Sequence, residues 1–130
     1  KAYEGEEAFT LIDWRESFGK SIEVGDRYYD LGKLHHALII NGQFMLDKHY
    51  YVDESSDNAK VVYHAKSNLL TLLSYFEEYC NNNKLNWQNI ELLSIIQYIT
   101  ISSLYPDFHN GEYGRFLFLL GKYKLAKKLK

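Results

Sequence analysis

From Gln88 to Leu104 the chain reads QNIELLSIIQYITISSL, with isoleucine or leucine on nearly every side of a helix. Ile90, Leu92, Leu93, Ile95, Ile96, Ile99 and Ile101 leave only Gln97, Thr100 and a few serines as polar positions in its body. Such a helix has no solvent face to offer, so it is expected to lie at the centre of the fold with other elements around it. Glu91, Gln97 and Thr100 interrupt the run short of the roughly 18 apolar residues that mark a membrane span. Pro106, the single proline, is expected to stop it.

The segments that would surround this helix follow from spacing and turn chemistry. Ala8 to Asp13 alternates and is β-prone, and Ser21 to Val24 reads as a short second strand. Gly25-Asp26 marks a turn and an N-cap. Leu31, Leu34, His35 and Leu38 then recur at the spacing of a helix from about Tyr28 to Ile40, buried on that face and stopped by Asn41-Gly42. Two strands, near 46–53 and 60–65, flank the polar loop Glu54 to Asn58 and predict a hairpin. Ser67 reads as the N-cap of a helix sharing Leu69, Leu72, Leu73, Phe76 and Cys80 on one face and ended by Asn81-Asn82-Asn83. After the loop DFHNG a last helix is expected to bury Tyr113, Phe116, Leu117, Leu120 and Tyr123. The predicted class is therefore mainly α with small β elements, an α+β fold.

At 130 residues the chain suffices for one domain, which at this size buries roughly two thirds of its unfolded surface. A hydrophobic fraction of 46% with 12 Tyr and 7 Phe excludes a disordered class. The formal charge of −2 supplies no global attraction to nucleic acid. Cys80, the one cysteine, excludes an internal disulfide and a thiolate metal cage, and points to a reducing, cytoplasmic compartment. The start KAYEGEEAF has neither the basic beginning nor the apolar core of a signal peptide, and the lack of an initiator Met reads as a piece of a longer protein.

The candidate chemistry lies among carboxylates and histidines. Asp13 stands where a β-prone run releases into a loop, a position from which a short carboxylate can hold Mg²⁺. Asp26 and Asp30 follow just ahead of a helical pattern. His35 and His36 point about 100° apart on a helix and so cannot clamp one metal together; His35, on the leucine face, reads as a hydrogen-bonded core histidine. His49 and His64 are potential cross-strand neighbours, with Asp47 or Asp53 as a conceivable third zinc ligand. Cys80 reads as a small buried hydrophobe. Lys122, Lys124, Lys127, Lys128 and Lys130 read as charges complementing a helix C-terminus, with contact to phosphates or an anionic surface as the functional alternative.

The segment I-D-W-R-E-S-F-G followed by G-D-R-Y-Y-D-L-G-K-L-H-H, across Ile12 to His36, resembles a stretch of bacterial capsule- and lipopolysaccharide-associated phosphotransferases of the aminoglycoside phosphotransferase and choline kinase superfamily. There the pattern is I-D-P-R-G-S-F-G and then G-D-P-x-Y-D-L-A-K-L-x-H-S. The resemblance implies the helical part of a kinase-like C-lobe, with a short N-terminal strand segment. It makes Asp13 the magnesium-binding Asp, Arg15 a phosphate or substrate contact, and Asp26 and Asp30 braces of the catalytic loop and caps of the following helix. It further implies Mg²⁺ and ATP as cofactors, a small hydroxyl-bearing acceptor, and the N-terminal remainder of the same chain as partner. Trp14 and Glu16 depart from the pattern, where the family has Pro and Gly.

A phosphate-covering glycine loop, a phosphate-binding Lys, and a catalytic loop carrying a base and a metal-binding Asn are not found in these residues. In family order the H-G-D…N loop would lie just upstream of Lys1. Two functions are therefore carried forward. The chain is either the C-terminal part of a phosphotransferase, inactive alone, or a helical interaction module that keeps the lobe's architecture without its reaction.

Overall fold

The computed structural model describes residues 20–21, 25–55 and 58–130. In chain order these form α1 (Arg27–Ile39), α2 (Gly42–Leu46), β1 (Tyr50–Glu54), β2 (Ala59–Tyr63), α3 (Ser67–Asn82), α4 (Trp87–Ser102) and α5 (Glu112–Lys128). Among the described residues the fold is mainly α with one two-stranded antiparallel sheet, as the sequence predicts. The expected strand over Ala8 to Asp13, and most of that over Ser21 to Val24, lie outside the described residues.

α4 is the central element, packed on one side against α1 and on another against α5. Its rotation differs from the simplest reading of the sequence. Gln97 and Ser94 are buried, while Ile96 is 42% exposed. Gln97 Nε2 donates to the Tyr29 carbonyl at 3.1 Å, so the amide is buried with a partner in α1. The helix starts from Asn86, whose side chain accepts from Asn89 N–H at 3.1 Å. It ends at Ser102, four residues ahead of Pro106, so proline is not what stops it. The Thr100, Ser102 and Ser103 hydroxyls each bond a carbonyl three residues back, competing with helical bonding in the last turn.

Close helix contact is made through glycine. A Cβ on Gly32 of α1 would lie 3.0 Å from Leu93 Cβ, and one on Gly121 of α5 would lie 2.6 Å from Ile99 Cγ1. At Gly114 the obstacles are main-chain oxygens, Ser102 O at 2.8 Å and Tyr105 O at 3.0 Å. The backbones meet where larger residues would hold them apart.

Asp26 caps α1, accepting from Tyr28 N–H at 2.8 Å. The buried positions of α1 are Gly32, His35 and Ile39, with Leu31 and Leu38 partly buried; Leu34, expected inside, is 46% exposed. Asn41 does end α1, but it also caps α2, accepting from Phe44 N–H at 2.9 Å. α2 therefore takes Gly42–Leu46 out of the predicted first strand, which begins only at Tyr50. The hairpin pairs Tyr50 with Tyr63 through Glu54 with Ala59 and sets Asp53 opposite Lys60.

α3 begins one residue earlier than expected, with Ser67 inside the helix and Lys66 as an N-cap that makes no side-chain bond. Phe76 and Cys80 are buried and join Ile90 in one cluster with Leu31, Leu38, Leu73 and Trp87 around it. Leu72, predicted inside, is exposed. A larger cluster joins Ile39, Ile40, Phe44, Tyr50, Tyr98 and Phe116, among others, between α1, the hairpin and α5. Burying each such side chain stabilises the fold by about 1.5–3 kcal/mol. In α5, Tyr113, Phe116, Leu117 and Leu120 are buried as predicted, and Tyr123 is exposed.

Two polar contacts fasten the start of the hairpin to the α4–α5 connection. The Tyr50 hydroxyl shares a hydrogen bond with His109 Nδ1, and Lys48 pairs with Glu112 at 2.7 Å. His109, Asn110 and Gly111 take φ values of 51°, 57° and 75°, which swing the chain into α5. A side chain at Gly111 would add a Cβ 2.8 Å from the Pro106 carbonyl oxygen.

Candidate functional site

Asp13 and Arg15, the metal and phosphate candidates, lie outside the described residues. Asp26 is described, and its carboxylate caps the next helix, as the Gly25-Asp26 turn predicts. Asp30 is exposed in the first turn of α1, where a carboxylate is favoured by the helix dipole.

His49 and His64 are neighbours across the hairpin, since His64 N–H donates to the His49 carbonyl at 3.0 Å. His49 Nε2 lies 3.4 Å from Asp47 Oδ2. Among the described residues no group of three metal-ligating side chains is brought together, so the conceivable zinc site lacks its third ligand there.

His35 and His36 point in different directions, as the helical geometry requires. His35 is 6% exposed, and its Nδ1 shares a 2.9 Å hydrogen bond with Ser94 Oγ of α4. Its ring also meets Trp87 edge-on at 5.2 Å. His36 lies against Tyr98 with ring centroids 4.3 Å apart, and its Nδ1 has no hydrogen-bond partner. Burial pushes both imidazoles down to about 4, so each is neutral at pH 7. For His35, Glu91 opposes that shift while Lys124 and Lys128 reinforce it. A neutral histidine bonded to a fully buried serine is first a core pair, and the expected reading of His35 holds.

The same pair forms part of a cleft of about 280 Å³ between α4 and the last turns of α5. α4 contributes Glu91, Ser94 and Tyr98 at helical spacing, and α5 contributes Lys124, Lys127 and Lys128. Lys128 pairs with Glu91. Lys127 stands over the Tyr123 ring at 4.9 Å, and its ammonium donates a hydrogen bond to Tyr123 that raises its pKa. Lys124 is half-buried, and desolvation lowers its pKa against the pull of Glu91. The C-terminal lysines thus divide in two. Lys127 and Lys128 complement the end of α5 as predicted, whereas Lys124 faces a cavity.

A second, wider cleft of about 570 Å³ lies by the α4–α5 connection, bordered by Tyr105, Pro106, Gly111 and Phe118 and by the Arg115–Glu54 pair at 3.9 Å.

Sequence reasoning missed Glu91 and Ser94, and named Lys124 only as one of the C-terminal lysines. The available signal was periodicity: 91, 94 and 98 share one side of α4, as 124, 127 and 128 do of α5. Nothing in the sequence said that these two sides face each other. No protein-family model, curated protein or solved structure matches the chain. Among the described residues no helix is long and apolar enough to cross a membrane.

Proposed function

We propose that this chain supplies the magnesium-binding carboxylate, Asp13, and the helical part of the lobe of an ATP-dependent phosphotransferase. The enzyme works in the cytoplasm on a small hydroxyl-bearing acceptor of surface-polysaccharide metabolism, and the remainder of its own chain completes the site. The reading rests on the pattern from Ile12 to His36, and the observation that carries it is Asp26. The G-D carboxylate of that pattern caps the helix after it, the structural duty the family gives this residue. On this reading Asp13 would hold Mg²⁺, Arg15 would meet a phosphate or the acceptor, and Asp26 and Asp30 would brace the segment that presents them. When bound, Mg²⁺ would supply charge neutralisation for phosphoryl transfer, and the chain's own part would be positioning.

The test is Mg²⁺-dependent phosphoryl transfer from ATP by the full-length native protein. Asp13→Asn is expected to lower it by at least about 100-fold. The 130 residues alone should turn over no ATP, because they carry one metal ligand and no catalytic base. Full activity in the Asp13→Asn protein, or turnover by the 130-residue chain, refutes the assignment. The second reading, a non-catalytic interaction module, is favoured by one observation: Leu72, Tyr75 and Tyr79 of α3 are 50%, 64% and 58% exposed. Absence of nucleotide binding by the full-length protein would select it.

A further inference from the structure

The cleft between α4 and α5 has an electrostatic imbalance. Among the described residues three ammonium groups, from Lys124, Lys127 and Lys128, border it with one carboxylate, Glu91, and Glu91 is engaged by Lys128. Lys124 pairs with no carboxylate among the described residues. The dipole of α5 accounts for Lys127 and Lys128 in its last turn. It does not account for Lys124, set further back and half-buried. Withdrawing an ammonium group from water is costly when the nearby carboxylate, Glu91, is already paired with Lys128, and a counter-ion in the cavity offsets that cost.

The cleft also holds a neutral imidazole that can serve as a donor. His35 lines it, with Nδ1 turned to Ser94 Oγ. When the serine hydroxyl donates to Nδ1, the ring proton resides on Nε2, which becomes a hydrogen-bond donor. An oxyanion would select that tautomer.

We propose that this cleft binds a small, multiply charged oxyanion, a phosphate or phosphomonoester, with Lys124 as the principal charge partner, Lys127 at the rim and His35 as a neutral donor. The volume of about 280 Å³ lies at the lower end of the range for ligand sites, which limits the ligand to a small one. Glu91 opposes binding and raises the charge the anion must carry. The site does not depend on Asp13 and stands apart from the phosphotransferase reading.

The experiment is a titration of the 130-residue chain with inorganic phosphate at fixed ionic strength, followed by backbone amide chemical shifts and calorimetry. Saturable binding is expected, with shifts centred on α4 and the end of α5. Lys124→Gln should weaken it by about tenfold, Lys124→Arg should retain it, and Glu91→Gln should strengthen it. Lys124→Met, which keeps the apolar stem, replaces Lys124→Gln if the latter unfolds. Acetate should bind more weakly than phosphate, and glycerol phosphate in place of phosphate tells whether a phosphomonoester is accommodated. The proposal is overturned by an absence of saturation, by wild-type affinity in the Lys124→Gln or Lys124→Met protein, or by an equal loss in Lys60→Gln on the exposed face of the hairpin.

Discussion

Replacing Gly114 by alanine asks whether α5 is seated on the end of α4 through main-chain contact. The added methyl would lie 2.8 Å from the Ser102 carbonyl oxygen and 3.0 Å from that of Tyr105. Both are closer than carbon and oxygen approach without repulsion, and neither belongs to a side chain that can rotate away. Two effects compete. In a helix interior alanine is favoured over glycine by about 1 kcal/mol. Overpacking that displaces backbone costs about 2–3 kcal/mol, the upper part of the usual range. The net expectation is a loss of about 1–2 kcal/mol. With an unfolding entropy of about 2.1 cal/mol/K per residue over 130 residues, 1 kcal/mol corresponds to about 4 °C in Tm. Gly114→Ala should therefore melt about 4–8 °C below wild type. Gly42 supplies the control, since a Cβ there meets nothing within 4 Å, and Gly42→Ala should change stability by less than about 0.5 kcal/mol. Thermal unfolding followed by circular dichroism on the three proteins decides the matter. A Gly114→Ala protein that melts at or above wild type refutes the argument.

Two further expectations concern titration and capping. His35 and His36 have folded-state values near 4 against 6.5 in the unfolded chain. The unfolded state therefore takes up protons that the folded state refuses, so stability present above pH 6.5 is lost as pH falls toward 4, by up to ~3 kcal/mol per site. Urea unfolding at pH 7, 5.5 and 4.5 measures this, and a flat profile across that window contradicts it. Asp26→Ala removes the side-chain acceptor of Tyr28 N–H and should destabilise the fold by about 1 kcal/mol, with amide exchange rising in the first turn of α1; unchanged exchange there would show the cap to be idle.

The helices and the hairpin were legible in the sequence because local chemistry states them: Asp26 before an apolar stripe, the asparagine run after Cys80, and β-branched residues either side of a polar loop. The faces were less legible. Leu34, Leu72 and Tyr123 fall on the correct helical spacing, yet all three are exposed, since spacing defines a stripe without defining how wide a neighbour covers it. Asn41-Gly42 misled for a different reason, as an asparagine that ends one helix is equally good at capping the next. Of the candidate sites, the Asp13 segment is a local sequence pattern that lies outside the described residues. The lysine cleft was not legible, because it is assembled from residues 35, 91–98 and 124–128 and exists only once α1 and α5 have both docked on α4.

The polar residues inside α4 carry a consequence for the uniqueness of the fold. A helix with isoleucine and leucine on most sides can turn about its own axis by one residue, about 100°, and still bury mostly aliphatic carbon. Hydrophobic burial alone discriminates poorly among such rotations. Ser94 and Gln97 break the degeneracy. In the native rotation they meet His35 Nδ1 and the Tyr29 carbonyl, and in any other those bonds are forfeited and polar atoms are left in the interior without partners. Each unsatisfied group costs about 1–3 kcal/mol. The two residues thus serve as registration marks, giving the most hydrophobic element of the protein one angular setting instead of several.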